Sequence, residues 1–341
     1  MRALRLFSPF LDRRLGQFNN ANRLARFCYR FKPYLKQIKV SLGKVPIREM
    51  VRTQFPFILE DATAPPELSI EFTNYCNLKC PYCPSPLKLR PQGFMDRQTF
   101  TNLVAQIREL RISKISICGN GEPTLHPDFK SYISELGAAT RFLSLTSNWQ
   151  RIDEKTIRSI LGAPVGILHI SADGADKEEY EKTRIDGKFE RLLNNLILLK
   201  RLKAETGSRL LTTIRVMIRP SQLKHEKRMV AFWRSYADVV SRQYILNYPG
   251  NLNDAFTPVA KYTGRCTLPF KILDVRWNGK IPLCSYSHLQ IGEPEGLILG
   301  NINQLSLRQI WNGPVIRAYR EGHRNNNEAL IPICKGCPGR T

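Results

Sequence analysis

Three cysteines within eight residues, Cys76-Asn77-Leu78-Lys79-Cys80-Pro81-Tyr82-Cys83, constrain this chain more than any other stretch. They follow directly on the apolar-alternating segment from Leu68 to Thr73, which reads as a strand delivering a loop. Thiolate is the ligand that iron–sulfur clusters use. Three from one loop can grip three corners of a [4Fe-4S] cube and leave the fourth iron open to a small chelating molecule. Cys-x2-Cys is also a zinc knuckle, so the triplet by itself keeps zinc with a distant fourth ligand as an alternative.

The 341 residues suffice for one large domain plus a smaller one, and 42% hydrophobic content is ordinary for a globular core. No run of about 18 apolar residues is present to span a bilayer. The start, Met1-Arg-Ala-Leu-Arg-Leu-Phe, lacks an uninterrupted apolar segment of signal type, and a cytoplasmic location is expected. Nine cysteines in that compartment point to metal or cluster ligation rather than disulfides. The net charge of +23 is concentrated toward the start: residues 1–60 hold 13 Lys or Arg against 3 Asp or Glu, a balance of +10. Such an arm suits an anionic partner, whether lipid head groups, an anionic substrate or nucleic acid; a solvated basic surface reads equally well. Its apolar positions, Leu24, Phe27, Phe31, Leu35 and Ile38, fall at helical spacing around Pro33, as in helices lying on a membrane or docked on a domain.

After Pro65-Pro66 the chain alternates. Strands are expected at 68–73, 114–118, 142–146, 165–172, 210–218 and 239–246, with helices at 97–110, 127–139, 153–161, 188–203 and 222–236. Six βα repeats imply an α/β fold, a parallel sheet with right-handed crossovers that forms an open partial (β/α)6 barrel. Its active site is expected at the carboxyl ends of the strands. The expected domains are a basic, mainly helical extension over residues 1–65, the barrel over 66–248 and a small hairpin-plus-helix domain over 249–341.

The cysteine loop after the first strand, with the aromatic Tyr82 before its last cysteine, resembles the signature of the radical S-adenosylmethionine (radical SAM) family. That resemblance implies a (β/α)6 partial barrel, SAM bound at the open iron, and a 5′-deoxyadenosyl radical that takes hydrogen from the substrate. Two further stretches fit. Cys118-Gly119-Asn120-Gly121-Glu122-Pro123, at the end of the second strand, is similar to the family's Gly-Gly-Glu-Pro element, with Asn120 replacing a glycine. The resemblance gives Gly119, Gly121 and Glu122 the SAM amino group. Ile170-Ser171-Ala172-Asp173-Gly174, at the end of the fourth strand, implies ribose contacts from Ser171 and Asp173, and Arg184 becomes a partner for the SAM carboxylate. Read without the family, these are turns and a capped strand end. Thr146-Ser147-Asn148 resembles the family's third-strand tip but departs from Gly at its end.

Cys266, Cys284, Cys334 and Cys337 form a second set, with Trp277-Asn278-Gly279-Lys280 as an expected hairpin turn that brings Cys266 near Cys284. Their spacing resembles the opening of the SPASM domain of radical SAM enzymes, in the single-cluster twitch form found in aminocyclitol dehydrogenases of the family. It implies a second, auxiliary [4Fe-4S] cluster, for which structural zinc is the competitor. Two cysteines remain, Cys28 in the arm and Cys118 beside the SAM turn.

The expected activity is dehydrogenation or epimerisation of a carbohydrate- or aminocyclitol-like alcohol, with Cys118 the candidate thiol hydrogen donor; a small buried cysteine is the plainer reading of that residue. Maturation of a ribosomally made peptide is the alternative, and an RNA-modifying protein a more distant one. Expected partners are a small, anionic or polar substrate and an electron donor such as flavodoxin or ferredoxin. Peripheral membrane contact through the arm is also expected, and no nucleic acid.

Overall fold

In the computed structural model the described residues are 63–245, 266–284, 296–335 and 337, all within one compact unit, Val40–Thr341. The basic arm, its expected helices and Cys28 lie outside them. The sheet is built from β1 (Glu67–Ile70), β2 (Lys114–Ile117), β3 (Phe142–Ser147), β4 (Val165–Ser171), β5 (Leu211–Ile218), β6 (Val239–Tyr244) and β7 (Ile272–Val275). Their order is β6-β5-β4-β3-β2-β1-β7, and every pairing is parallel. Helices α1 (Arg97–Leu110), α2 (Phe129–Ala139), α3 (Glu154–Gly162), α4 (Lys177–Thr183), α5 (Phe189–Glu205) and α6 (Glu226–Trp233) form the crossovers.

Side-chain caps start three of these helices, α1 and α3 where they are expected and α4, a helix absent from the expected elements. Asp96 accepts from the Thr99 N–H at 2.7 Å, Asp153 from Thr156 at 2.7 Å and Asp176 from Glu179 at 2.9 Å, each satisfying an amide that the helix leaves unpaired. Alternation then sorts the strand side chains. Leu68, Ile70, Ile115, Ile117, Leu168 and Ile214 join the main core, where they meet Phe100 and Leu103 of α1 and Leu196 of α5. The opposite, inner face has an apolar floor near the start of the strands, made by Phe142, Ile167 and Leu211 with Val239 against them. Above that floor it turns polar: Ser144, Thr146, His169, Thr213 and Arg215 follow along the same strands.

Two departures from expectation concern the C-terminal part. The sheet has seven strands rather than six, because residues 272–275 pair with β1 in register Ser69↔Asp274. The turn at Asn278-Gly279 forms, with Gly279 at φ +79, where a Cβ would sit 2.6 Å from Asn301 Oδ1. Its two arms pair at the turn, where Arg276 N–H donates to Lys280 O at 3.0 Å, and then part. The first joins the main sheet, and the second, β8 (Lys280–Pro282), pairs antiparallel with β9 (Ile298–Asn301). Apolar Leu273 and Val275 explain the choice, since both bury at 1% in the barrel core. Then come α7 (Leu307–Trp311) and α8 (Pro314–Asn325). Gln106 of α1 docks this region by accepting from Leu307 N–H at 2.6 Å and donating to Ile302 O at 3.3 Å. A shorter departure lies before α6: Pro220 opens a 3-10 turn, Pro220–His225, and the α-helix starts only at Glu226.

Leu168 is fully buried mid-sheet. Leu168→Ala is expected to lower unfolding free energy by about 2–5 kcal/mol, read as a drop in the urea midpoint at unchanged slope.

Candidate active site

The cysteine loop leaves the end of β1 and is closed by backbone bonds, Cys83 N–H to Cys80 O at 3.0 Å and Lys79 N–H to Ile185 O at 3.0 Å. Donors point at its sulfurs: the Leu78 N–H lies 3.5 Å from Cys76 Sγ, Asn148 Nδ2 3.8 Å from the same atom, and Arg184 Nη1 3.7 Å from Cys80 Sγ. Burial pushes the Cys76 thiol up to about 12, Cys83 to about 11 and Cys80 upward, with neighbouring negative groups adding to each. Only a bound cation would hold such thiols as thiolates, and three thiols ringed by N–H donors are chemically fitted to a cluster. Among the described residues no three His, Cys, Asp or Glu side chains stand close enough to hold a single metal ion.

The Gly119–Pro123 turn is clamped onto this loop. A Cβ on Gly121 would lie 2.3 Å from Thr73 O and 2.6 Å from Tyr75 O, so only glycine lets the two backbones meet. The Glu122 N–H donates to Tyr75 O at 2.8 Å. Glu122 itself is 2% exposed. It accepts from Ser147 Oγ at 2.8 Å, Asn148 N–H at 2.6 Å and Thr124 Oγ1 at 2.7 Å. Burial raises its pKa and these donors oppose the rise. Ser147 and Asn148, whose departure from the family pattern left them without an assigned role, are thus what positions Glu122.

At the end of β4, Asp173 gathers three groups. Its Oδ2 accepts from Tyr82 OH and from Arg184 Nε at 2.8 Å, and its Oδ1 from Arg184 Nη2 at 3.3 Å and Met217 N–H at 3.0 Å. Burial disfavours the Arg184 charge, but Asp173, Tyr82 and Cys80 outweigh it and hold its pKa well above the usual guanidinium value. Arg184 also lies over the Tyr82 ring at 5.4 Å. Ser171 is partly exposed, in register with Arg215.

Cys118 opens the glycine turn with its Sγ 3.1 Å from Ser69 Oγ, on the inner face. Burial pushes its thiol up to about 11, against the Ser69 hydrogen bond and Arg215. Three groups that the motifs did not flag share this face. Glu71 pairs with buried Arg90 and accepts from Asn120 N–H at 3.1 Å, yet its Oε1 has no partner. His169 Nδ1 and Thr213 Oγ1, on paired positions of β4 and β5, are likewise buried without a partner.

In the second cysteine set, the Cys266 N–H donates to His323 Nδ1 at 3.4 Å and the Cys337 N–H to Cys334 O at 3.1 Å. Cys334 packs on the apolar cluster of Leu283, Tyr319 and Ile331, and Cys284 follows Leu283 directly. Residues 285–295 lie outside the described residues.

Against known families the sequence matches the Radical SAM superfamily over residues 70–232 and the iron-sulfur cluster-binding domain SPASM over residues 266–338. The chain belongs to the radical SAM superfamily and carries a C-terminal SPASM domain. Membership in these two families implies SAM, a [4Fe-4S] cluster and an auxiliary iron–sulfur cluster as cofactors. Among curated relatives it is 32% identical over 124 residues to the PqqA peptide cyclase of Gluconobacter oxydans (strain 621H), covering 36% of this chain and 34% of that one. The chain thus matches about a third of the length of such relatives. Among solved structures it resembles BtrN in complex with AdoMet and 2-DOIA, with TM-score 0.54, 15% identity and coverage of 79% of this chain and 91% of that one. It also resembles native anSMEcpe with bound AdoMet, with TM-score 0.60, 18% identity and coverage of 79% and 88%. At those identities the likeness is one of fold. No helix among the described residues is long and apolar enough to cross a membrane.

Burial, together with Arg215 and Lys114, lowers the His169 pKa to about 2. The unfolded chain's imidazole protonates near pH 6.5, so it takes up a proton that the folded chain refuses, and stability falls as pH drops below about 6.5. His169→Gln is expected to flatten that slope by close to one proton, measured by denaturant titration of the apoprotein at several pH values.

Proposed function

We propose that this chain is a radical SAM oxidoreductase acting on a small polyhydroxylated substrate of carbohydrate or aminocyclitol type. In this reading Cys76, Cys80 and Cys83 hold the SAM-binding cluster. Cys266, Cys284, Cys334 and Cys337 hold a single, twitch-type auxiliary cluster. When bound, SAM and its cluster supply a hydrogen-atom abstractor by one-electron cleavage of the sulfonium group.

The observation that carries the substrate class is the inner face of the sheet. Ser69, Ser144, Thr146, His169 and Thr213 line it above the floor of Phe142, Ile167 and Leu211. Buried polar atoms are ordinarily paired, so Glu71 Oε1, His169 Nδ1 and Thr213 Oγ1 call for a ligand that both donates and accepts hydrogen bonds. Hydroxyl groups do both. Neutral His169 suits a hydroxyl better than an anion, while Arg215, one strand position beyond Ile214, can orient a more polar end. The cofactor side is prepared separately. Glu122, fixed by Ser147 and Asn148, can receive an ammonium group, and the Asp173–Arg184 pair leaves Arg184 Nη1 directed at Cys80.

Dehydrogenation is favoured over epimerisation because, once a hydrogen atom has been taken, turning the alcohol into a ketone sheds one more electron and the hydroxyl proton; the four-cysteine set would accept the electron and solvent the proton. Peptide maturation remains the second reading, favoured by the relative named as a PqqA peptide cyclase. That match spans 36% of this chain.

Anaerobically reconstituted protein is expected to hold about eight irons per chain, and Cys76→Ala/Cys80→Ala/Cys83→Ala about four. Iron near four with stoichiometric zinc in the intact protein would overturn the auxiliary assignment. Incubation with perdeuterated polyols is expected to move deuterium into 5′-deoxyadenosine; transfer only from a labelled peptide would favour maturation. Once a substrate is in hand, Cys118→Ala separates the outcomes. Unchanged product and rate fit dehydrogenation, whereas SAM cleavage without turnover would make Cys118 the hydrogen donor of an epimerase.

A further inference from the structure

Among the described residues, two ion pairs are buried on both sides: Arg184–Asp173, with side chains 9% and 1% exposed, and Arg90–Glu71, at 6% and 7%. The first uses both carboxylate oxygens and all three guanidinium nitrogens. The second does not, since Glu71 Oε1 and Arg90 Nη1 have no partner. A buried pair left incomplete in this way adds little to stability, and apolar side chains of similar volume commonly serve as well. The reason for this one lies in what it touches.

Both members are set in place through the backbone. Glu71 leaves the end of β1 with its N–H on Val275 O at 2.9 Å. Arg90 arrives on a strap pinned just beyond it, where Asn74 Nδ2 donates to Pro91 O at 2.8 Å and Asn74 Oδ1 accepts from Gly93 N–H at 2.9 Å. The carboxylate then meets the glycine turn at two points. Its Oε2, which already accepts from Arg90, accepts from Asn120 N–H at 3.1 Å. A Cβ on Gly119 would stand 2.6 Å from Glu71 Cγ and 2.9 Å from Oε2, so Glu71 lies against the backbone there and leaves no room for a side chain.

The Asn120 bond decides which way a peptide faces. The Gly119–Asn120 link is trans, so its N–H and C=O point in opposite directions. With the N–H turned onto Glu71, the Gly119 carbonyl is turned away from it, and among the described residues no hydrogen bond ends on that carbonyl. Glycine on either side of Asn120 lets this peptide flip at little cost, and Glu71 is the group that opposes the flip. A free backbone carbonyl is what an ammonium group takes, and with three N–H donors an ammonium can bond it and Glu122 together.

We propose that Glu71, its charge matched by Arg90, is a positioning residue for SAM: it holds the Gly119–Asn120 peptide so that the Gly119 carbonyl receives the SAM ammonium. The proposal rests on the reading of Cys76, Cys80 and Cys83 as ligands of the SAM-binding cluster. Arg90 is needed because a carboxylate this far from water requires a counter-charge, and the strap that carries it follows the cysteine loop directly.

The test uses anaerobically reconstituted holoprotein with its clusters oxidised, so that SAM binds and is not cleaved, and follows binding by calorimetry. 5′-Methylthioadenosine, which keeps the nucleoside and lacks the amino-acid part, is the second probe. Glu71→Met/Arg90→Met removes both charges at similar volume. It is expected to weaken SAM binding about tenfold, the effect of losing one hydrogen bond to a charged group, and to leave methylthioadenosine binding, iron content and the thermal midpoint as in wild type. Glu71→Gln/Arg90→Met returns an acceptor to the Asn120 N–H and is expected to restore most of the SAM affinity. Wild-type SAM affinity in the Met pair would overturn the proposal. Equal weakening of both probes, lost iron or a lower midpoint would do the same, since the pair would then serve the fold, and so would a Gln variant that binds SAM no tighter than the Met one. A wild-type protein that holds only the auxiliary cluster, or binds no SAM, sinks the reading of the cysteine loop and the proposal with it.

Discussion

One buried carboxylate ties the site together. Asp173 is 1% exposed and bridges Arg184, the Tyr82 hydroxyl and the Met217 N–H. A carboxylate taken out of water this far is costly unless every lone pair is used, and a buried guanidinium faces the same demand. Each therefore fixes the other. Because Tyr82 belongs to the cysteine loop, Arg184 to the end of α4 and Met217 to β5, their shared partner sets where the loop sits on the barrel. Asp173 thus serves the cysteine loop as much as any ribose it was expected to touch, since both its oxygens are already engaged by the protein.

β7 plays a similar part on the other side. By pairing with β1 it places the chain that follows Cys266 beside the strand that delivers Cys76; because the two strands run parallel, Cys266 precedes the amino end of β7 while Cys76 follows the carboxyl end of β1. The short run Ile272–Val275 between Cys266 and the Asn278-Gly279 turn reads as one arm of a local hairpin by sequence, since a turn of this kind favours local pairing. Its true partner is two hundred residues away. Only the burial available beside β1 decides between them, and no local pattern records that.

Much of the rest was legible. The caps Asp96 and Asp153 and the starts of β2, β3 and β4 fall where alternation and capping chemistry put them. Gly121 was read from a motif, and the contact it permits, backbone on backbone against Thr73 and Tyr75, is the reason a side chain is absent there. Ser147 and Asn148 carry a weaker signal: a family pattern that ends in Gly offers no hint that an Asn backbone amide and a Ser hydroxyl hold Glu122. Glu71, Arg90 and His169 carried no motif at all, and their signal is one of environment.

That signal was nonetheless present in the strands. A parallel sheet covered on both faces has strands that read as nearly continuous apolar runs. Here β1 reads Glu-Leu-Ser-Ile and β2 Lys-Ile-Ser-Ile, while β5 carries Thr213 and Arg215 between Thr212, Ile214 and Val216. Alternation in a parallel sheet says that one face has no apolar layer against it. Burying Ser69, His169 and Thr213 there costs stability that packing with Val or Leu would have supplied, and the apolar floor of Phe142, Ile167 and Leu211 shows that this chain packs that face where it is free to. The polar layer begins where the strands rise toward the cysteine loop and the glycine turn, so the face left unpacked is the one that opens onto both motifs.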